Sequence, residues 1–156
     1  MLKILYICTH NRCRSILSEA ISNHVGAGRI LARSAGSHPA DEVHPLTLKY
    51  LRAAGVPTAG LLSQSWDEME GFAPDLVITV CDTAAEEVCP IYFHKSHRLH
   101  WGLRDPSRLA GTEQKLASAF SDVICTIRSR VDALLAVDAD KLDRDELSRA
   151  VAGLAD

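Results

Sequence analysis

Residues 2–15, LKILYICTHNRCRS, decide how the chain begins to fold. Residues 2–7 are mostly apolar and stop at a polar stretch, which is the pattern of a buried parallel strand. From Ser15 onward, apolar side chains recur at helical spacing until glycines at and after position 26 end the helix. The segment therefore predicts a strand, a loop over residues 8–14 and a helix.

The same alternation of strands and helices continues along the chain. A long amphipathic helix of about six turns is predicted from Thr112 onward. Strands that alternate with helices indicate an α/β fold with a parallel sheet covered on both faces. The other predicted elements are a strand at residues 30–35, a helix that begins at Pro45 and ends before Gly55, a buried strand at 76–80 and a short strand at 99–101.

Composition limits the classes of protein to which the chain can belong. With 156 residues, of which 47% are hydrophobic and 24% charged, it matches one compact domain. We assign residues 1–137 to this domain and residues 138–156 to an appended C-terminal helix. A net charge of -3 provides no global basic field for nucleic acid or an anionic membrane, so any anion site must be local.

The cysteine count indicates the cellular compartment. The N-terminal apolar run is too short for a signal sequence or a membrane span, so we expect a cytoplasmic protein. Five cysteines, an odd number without a secretion signal, favour catalytic, redox or metal-binding roles over a structural disulfide framework.

The loop from Cys8 to Arg14 combines a nucleophile with an anion cradle. Between a strand and a helix, its backbone N–H groups can point inward at a tetrahedral oxyanion, with the positive end of the helix dipole behind them. Arg14 supplies a planar fork for two oxygens, and these positive surroundings favour the thiolate of Cys8. Ser15 is expected to support the thiolate with its hydroxyl. The residues expected to surround the oxyanion are Thr9, His10, Asn11, Arg12, Cys13 and Arg14, of which Asn11 tolerates a left-handed backbone.

Two further cysteines follow the strand at residues 76–80. Cys81 lies at its carboxyl end, and the carboxyl ends of parallel strands open on the same rim, so Cys81 is expected near the Cys8 loop. Cys89 comes eight residues later, after a segment that favours helix. A helix would separate the two Cα atoms by about 12 Å, whereas a disulfide needs them within about 7 Å. Pairing Cys81 with Cys89 therefore requires this segment to unwind.

These motifs resemble the low-molecular-weight protein tyrosine phosphatases and, more closely, the arsenate reductases that share their fold. The similarity covers most of residues 2–135. It implies a four-stranded parallel sheet flanked by helices, with Cys8 as nucleophile and Arg14 as oxyanion clamp. The matching segments are residues 8–15 with Glu19, residues 34–36, residues 81–90, Trp101-Gly102 and Asp105-Pro106.

The resemblance to thioredoxin-coupled reductases implies a relay of three thiols. Cys8 would form a thiol adduct with arsenate, Cys81 would attack it and release arsenite, and Cys89 would resolve the disulfide. Thioredoxin, or a glutaredoxin-type reductant, would then reduce the protein, without a tightly bound redox cofactor. Asp105 would be the general acid that protonates the leaving oxygen.

Two other functions compete with arsenate reduction. A phosphatase acting on aryl phosphates would need only Cys8, Arg14 and Asp105. A noncatalytic redox or metal sensor would use the cysteines as ligands, but it leaves the anion loop unexplained. We predict no metal site, because the histidines at positions 94, 97 and 100 lack an accompanying Cys-x-x-Cys pair, and we expect Cys125 to be a core residue.

Overall fold

The computed structural model describes residues 1–81, 96–108 and 111–137, together with Glu146 and Arg149. Its strands form one parallel sheet in the order β2-β1-β3-β4. This confirms the predicted α/β class with a four-stranded parallel sheet flanked by helices. The strands are β1 (Leu2–Ile7), β2 (Ile30–Ala35), β3 (Leu76–Thr79) and β4 (His97–His100).

The helices of the described residues follow the predicted pattern. Helix α1 (Arg14–Gly26) packs on β1 and β2, and α2 (Pro45–Ala53) and α3 (Glu113–Ala136) both contact it. Two short 3-10 helices, Trp66–Phe72 and Pro106–Arg108, were not predicted. The fourth strand also begins two residues earlier than predicted, because His97 and Arg98 pair with β3 although they are polar.

Strand β1 lies between β2 and β3 and forms the centre of the sheet. Its register pairs Ile7 with Ala35 on one side and with Thr79 on the other, so all three strands end at the same edge. Beyond the last pair, the amide of Val80 still donates to the carbonyl of Ile7. The residues that follow β1 and β3, Cys8 and Cys81, therefore leave the sheet side by side, as the parallel topology predicts.

The core fills the space between the sheet and the helices. Tyr6 of β1 is fully buried, and its hydroxyl is 2.7 Å from that of Ser22 on α1. Helix α3 buries one stripe of residues, and Cys125 lies off that stripe and is exposed. The prediction that Cys125 is a core residue is therefore wrong, because its neighbour Ile124 faces inward and the next helical position turns away. The buried residues of α3 are Phe120, Val123, Ile124, Ile127, Val131 and Leu134.

Helix α2 begins with a histidine cap. The ring Nδ1 of His44 accepts a hydrogen bond from the amide of Leu46 at 3.1 Å, and Pro45 occupies the first helical position. Burial lowers the pKa of His44, the Arg12 charge lowers it further, and Asp105 opposes the change. The neutral ring is therefore the form that caps the helix.

The 3-10 helix at Trp66–Phe72 connects to the end of β2. Ser65 and Glu68 form a capping box at its start, a Ser-x-x-Glu signal that is readable in the sequence. The amide of Gly36 donates to the carbonyl of Gln64, and the carbonyl of Gly36 accepts from the amide of Trp66. Gly36 thus joins this segment to the edge of the sheet.

Some predictions concern parts of the chain outside the described residues. The appended helix at 138–156 is one of them, since only Glu146 and Arg149 are described there. The predicted unwinding between Cys81 and Cys89 is another. Among the helices that the structure describes, none is both long and apolar enough to cross a bilayer.

The His44 cap predicts a pH-dependent stability. Because folding lowers the pKa of this ring, the unfolded chain binds more protons below pH about 6.5, and stability falls as the pH drops. His44→Asn keeps a capping side chain that does not titrate, so the wild type should lose more stability than the variant between pH 7 and 5. The extra loss should be at most the contribution of one helix cap to the free energy of unfolding, about 1 kcal/mol. Urea unfolding at both pH values measures it, and parallel losses would contradict the prediction.

Gly36 predicts a steric effect on the adjacent loop. A Cβ at this position would lie 2.5 Å from the carbonyl oxygen of Thr9 and 2.9 Å from that of Cys8, so the loop backbone must shift. We expect Gly36→Ala to cost about 1–3 kcal/mol of unfolding free energy. We also expect at least about tenfold weaker binding of inorganic phosphate, the equivalent of a loss of about 1.4 kcal/mol. Protection of Cys8 from alkylation by phosphate measures the binding.

Gly71→Ala is the matched control, because a Cβ there meets no atom within 4 Å. It should leave phosphate binding unchanged. Equal binding of phosphate by the two variants would show that the loop does not depend on Gly36.

Candidate active site

The Cys8–Arg14 loop turns several of its carbonyl groups outward. The carbonyl of His10 accepts a hydrogen bond from the hydroxyl of Ser63 at 3.2 Å, and the carbonyl of Arg12 accepts one from the hydroxyl of Thr47 at 3.2 Å. These outward bonds hold the loop against the segments around it. Three loop carbonyls also accept hydrogen bonds from backbone amides outside the loop: Thr9 O from His38 N at 2.8 Å, His10 O from Ala40 N at 2.9 Å and Arg12 O from His44 N at 2.9 Å.

This orientation of the carbonyls determines where the amides point. In a trans peptide the N–H lies opposite the preceding C=O, so three amides face the other side, toward the inside of the loop. One of them, the amide of His10, donates to Cys8. Three of the amides that the sequence analysis assigned to the oxyanion therefore lie on the side of the loop away from these carbonyl bonds. They belong to His10, Asn11 and Cys13.

Asn11 is the internal support of the loop. Its φ of 47° is left-handed, as predicted, and its side chain is completely buried. The amide nitrogen donates to Ser15 Oγ at 2.8 Å and Ser34 Oγ at 3.0 Å, and the oxygen accepts from the amide of Gln64 at 2.8 Å. Ser34 in turn donates to Glu19 at 2.6 Å. Asn11 thereby has a partner for each of its donors, and it ties the loop to α1, β2 and the segment before Trp66.

Arg14 begins α1 and extends over the loop. One guanidinium nitrogen donates to the carbonyl of Leu103 at 3.2 Å, and another lies 3.8 Å from Asp105 Oδ2. Its Nε is buried and has no hydrogen-bond partner among the described residues. A cationic donor without a partner beside the inward amides is suited to an oxyanion. The cavity at this point has a volume of about 20 Å³ and is lined by Cys8, His10, Arg12, Cys13, Arg14, Asp105 and Arg108.

Asp105 is held at the mouth of this cavity. Its Oδ1 accepts from the amide and the hydroxyl of Ser107, at 3.0 and 2.5 Å. Its Oδ2 lies 3.3 Å from Arg108 Nε as well as 3.8 Å from Arg14. The structure therefore brings Asp105 to the Cys8 loop, where a proton donor to a leaving oxygen must be.

Cys81 is buried and adjacent to Cys8. Its Sγ is 3.6 Å from the hydroxyl of Thr9, and it hydrogen-bonds to the Cys8 thiol. This hydrogen bond and burial raise the pKa of Cys8, whereas the Arg14 charge and the amide of His10 lower it. The net direction is opposite to the thiolate expected from the sequence, because the sequence reveals Arg14 but neither the depth of burial nor the contact with Cys81.

The neighbouring sulfur of Cys81 explains the direction in which the pKa of Cys8 shifts. When a thiolate accepts a hydrogen bond from its neighbour, the charge on the first sulfur opposes the loss of the second proton. The neighbouring Cys81 therefore acts with burial to keep the Cys8 thiol protonated above the usual thiol range.

Cys13 has a different environment from Cys8. Burial raises its pKa to about 11, with Thr47 acting in the opposite direction. A thiol with this pKa is protonated at neutral pH and is a poor nucleophile. Cys13 lines the cavity as a neutral side chain.

No metal site was predicted, and Glu19 and Ser34 behind the loop are paired with each other. Burial raises the pKa of Glu19, and its carboxyl is hydrogen-bonded to Ser34. Beside this pair, Gln64 donates its side-chain amide to the carbonyl of Ser34 at 3.0 Å. In the described ranges, no three His, Cys, Asp or Glu side chains are grouped to hold a metal ion.

The structure thus brings most of the predicted site residues together. Cys89 is the exception, because it lies outside the described residues. The sequence did not indicate Arg108, although its position one turn after Asp105-Pro106 was an available signal. The predicted residues that meet at the loop are Cys8, Thr9, His10, Asn11, Arg12, Cys13, Arg14, Ser15, Cys81 and Asp105.

Comparison with known proteins was made at the levels of family, sequence and structure. Residues 3–148 match the family model described as low molecular weight phosphotyrosine protein phosphatase. An arsenate reductase of Bacillus licheniformis is 34% identical over 129 residues, which are 82% of this chain and 91% of that protein.

Two solved structures have similar folds. An arsenate reductase in the phosphate binding state superposes with a TM-score of 0.72 at 26% identity and covers 87% of this chain and 98% of its own. The thioredoxin-dependent arsenate reductase of Corynebacterium glutamicum gives 0.66 at 31% identity, over 87% of this chain and 61% of its own. The chain therefore belongs to the low molecular weight phosphotyrosine protein phosphatase family, within the part of that family that includes arsenate reductases.

Proposed function

We propose that the protein is an arsenate reductase in which Cys8 attacks arsenic and Cys81 completes the reduction. The observation that carries the proposal is that two buried free thiols, Cys8 and Cys81, lie side by side at the ends of adjacent parallel strands. Hydrolysis of a phosphate ester needs one thiolate, whereas reduction of arsenic(V) needs a second sulfur within reach of the first. The relatives named arsenate reductases support the same assignment.

Binding of arsenate depends on the local charge of the cavity. Three arginines and one carboxylate line it, although the whole chain has a net charge of -3. The inward amides and Arg14 would bind three oxygens of the tetrahedral anion and place the arsenic above Cys8. The anion also adds partners for Arg14 Nε, which lacks one among the described residues.

The chemical steps balance with two thiols and a proton donor. Cys8 sulfur attacks arsenic, and the oxygen that leaves takes a proton from Asp105 and departs as water. Cys81 sulfur then attacks Cys8 sulfur, so that a disulfide forms. The electron pair of the sulfur–arsenic bond passes to arsenic, which leaves as arsenite.

Regeneration of the enzyme requires electrons from outside. Cys89 would attack Cys81, free Cys8 as a thiol and form the Cys81–Cys89 disulfide. We propose thioredoxin as the reductant of that disulfide, supported by the thioredoxin-dependent relative, with a glutaredoxin-type protein as the alternative. The relay needs no tightly bound cofactor, and it suits the cytoplasm, where thioredoxin keeps thiols reduced.

A phosphatase side activity follows from the same geometry. Cys8, Arg14 and Asp105 line one cavity, and these three groups suffice to transfer a phosphoryl group to sulfur and protonate the leaving oxygen. Aryl phosphate hydrolysis therefore reports on Cys8 without involving the other thiols.

The relay predicts different results for each cysteine variant. In the thioredoxin-coupled assay, Cys89→Ser should release one arsenite per protein and then stop, because the Cys8–Cys81 disulfide forms but is not resolved. Cys81→Ser should release none. Both should retain aryl phosphate hydrolysis, and the exposed Cys125→Ser is the matched control with full arsenate turnover. Arsenite is quantified in single-turnover and thioredoxin-coupled assays, and continued turnover by Cys81→Ser would refute the proposal.

The thiol pair predicts a shift in the reactivity of Cys8. The hydrogen bond with Cys81 is the largest influence that raises the pKa of Cys8, so Cys81→Ala should lower that pKa. Alkylation of Cys8 should then begin at lower pH and be faster at pH 7, because the thiolate is the reactive form. Alkylation rates from pH 5 to 10, followed by mass spectrometry of the Cys8 peptide, measure the shift. An unchanged or higher midpoint would contradict it.

A further inference from the structure

A second arginine, Arg108, lies at the mouth of the oxyanion cavity. Its Nε is 3.3 Å from Asp105 Oδ2, and Arg14 lies 3.8 Å from the same oxygen. Two guanidinium groups therefore flank one carboxylate oxygen. The Arg108 side chain is 72% exposed, compared with 18% for Arg14, so Arg108 is at the solvent side of the cavity and Arg14 is deeper.

This position determines which part of a substrate meets Arg108. In a displacement at a tetrahedral centre, the leaving group lies opposite the attacking atom. With Cys8 sulfur on the inner side, the leaving group faces the mouth, where Asp105 and Arg108 are. In an inorganic oxyanion that group is an oxygen or hydroxyl, and in an aryl ester it carries an aromatic ring.

The chemistry of Arg108 distinguishes these two groups. A guanidinium donates charge-assisted hydrogen bonds to an anion oxygen, and these are stronger than its stacking on an aromatic face at an exposed site. Its backbone is held close by, since the amide of Arg108 donates to the carbonyl of Asp105 within the turn. The exposed side chain needs only to rotate from the carboxylate to the anion.

We propose that Arg108 is a specificity-determining residue that favours free inorganic oxyanions over aryl esters. This inference rests on the proposed function, because selection matters for an enzyme whose substrate is arsenate itself. When the anion binds, Arg108 turns to the outward oxygen and leaves Asp105 with one cationic partner fewer.

A neighbouring arginine provides the control. Arg104 lies on the same segment and lines, together with Arg108, an adjacent cavity of about 340 Å³, but unlike Arg108 it is not among the residues that line the oxyanion cavity. Arg104→Gln removes the same charge from the same region of the surface. Any effect that both variants share is therefore a general effect of charge.

Binding of two matched probes tests the inference. Inorganic phosphate and phenylphosphonate differ in that a phenyl group replaces one oxygen, and each protects Cys8 from alkylation when it binds. For Arg108→Gln we expect the Kd for phosphate to rise about tenfold and that for phenylphosphonate to change by less than about twofold. Arg108→Lys should restore part of the preference, Arg104→Gln should match the wild type, and the difference should shrink at high salt.

The outcomes separate this inference from the proposed function. An equal loss for both probes, no loss for either, or no protection of Cys8 by phosphate in the wild type would overturn the role of Arg108. A wild type that binds phosphate yet reduces no arsenate would instead refute the reductase assignment. In the coupled assay, Arg108→Gln should raise the KM for arsenate with little change in kcat, because its interaction is made on binding.

Discussion

The shape of the Cys8–Arg14 loop depends on hydrogen bonds made on its outer side. The carbonyls of Thr9, His10 and Arg12 accept from neighbouring backbone amides, and the planar peptide then turns the next amides inward. Asn11 completes the constraint by holding a left-handed residue with a fully paired amide. A loop held in this way keeps its donors oriented before any anion arrives, so binding does not have to order it.

Burial has two opposing effects on negative charge at the thiols. It raises the pKa of Cys8 and opposes the charged form, but it also strengthens the attraction of Arg14 and the inward amides for any negative charge that develops there. The neighbouring Cys81 contributes to the first effect, because it is the largest influence that raises the pKa of Cys8. An anion in the loop would add negative charge to a region that already has three arginines and one carboxylate. This local excess of positive charge would allow a chain with a net charge of -3 to hold a dianion.

The strand, loop and helix at the start of the chain were predictable because they depend on local sequence patterns. An apolar run, a Cys-to-Arg spacing and a following amphipathic segment determine the strand, the loop and α1 without distant contacts. The same holds for the long helix α3 and for Asn11 at a left-handed position. The 3-10 helix at Trp66–Phe72 had a readable Ser65-x-x-Glu68 signal. Its attachment to the edge of the sheet became visible only in the structure, where Gly36 pairs with Ser65.

By itself, the sequence determined the fold class and predicted an anion loop with Cys8 as its nucleophile, because each depends on patterns among residues close together in the chain. The sequence predicted that Cys81 lies near the Cys8 loop, but only the tertiary structure decided that Arg108 shares Asp105 with Arg14 and that the Cys8 thiol has a raised rather than a lowered pKa. These properties arise from side chains between 73 and 100 residues away from Cys8 along the chain. The physical reason is that burial and through-space charge depend on which strands end side by side, and spacing along the chain does not reveal those distances.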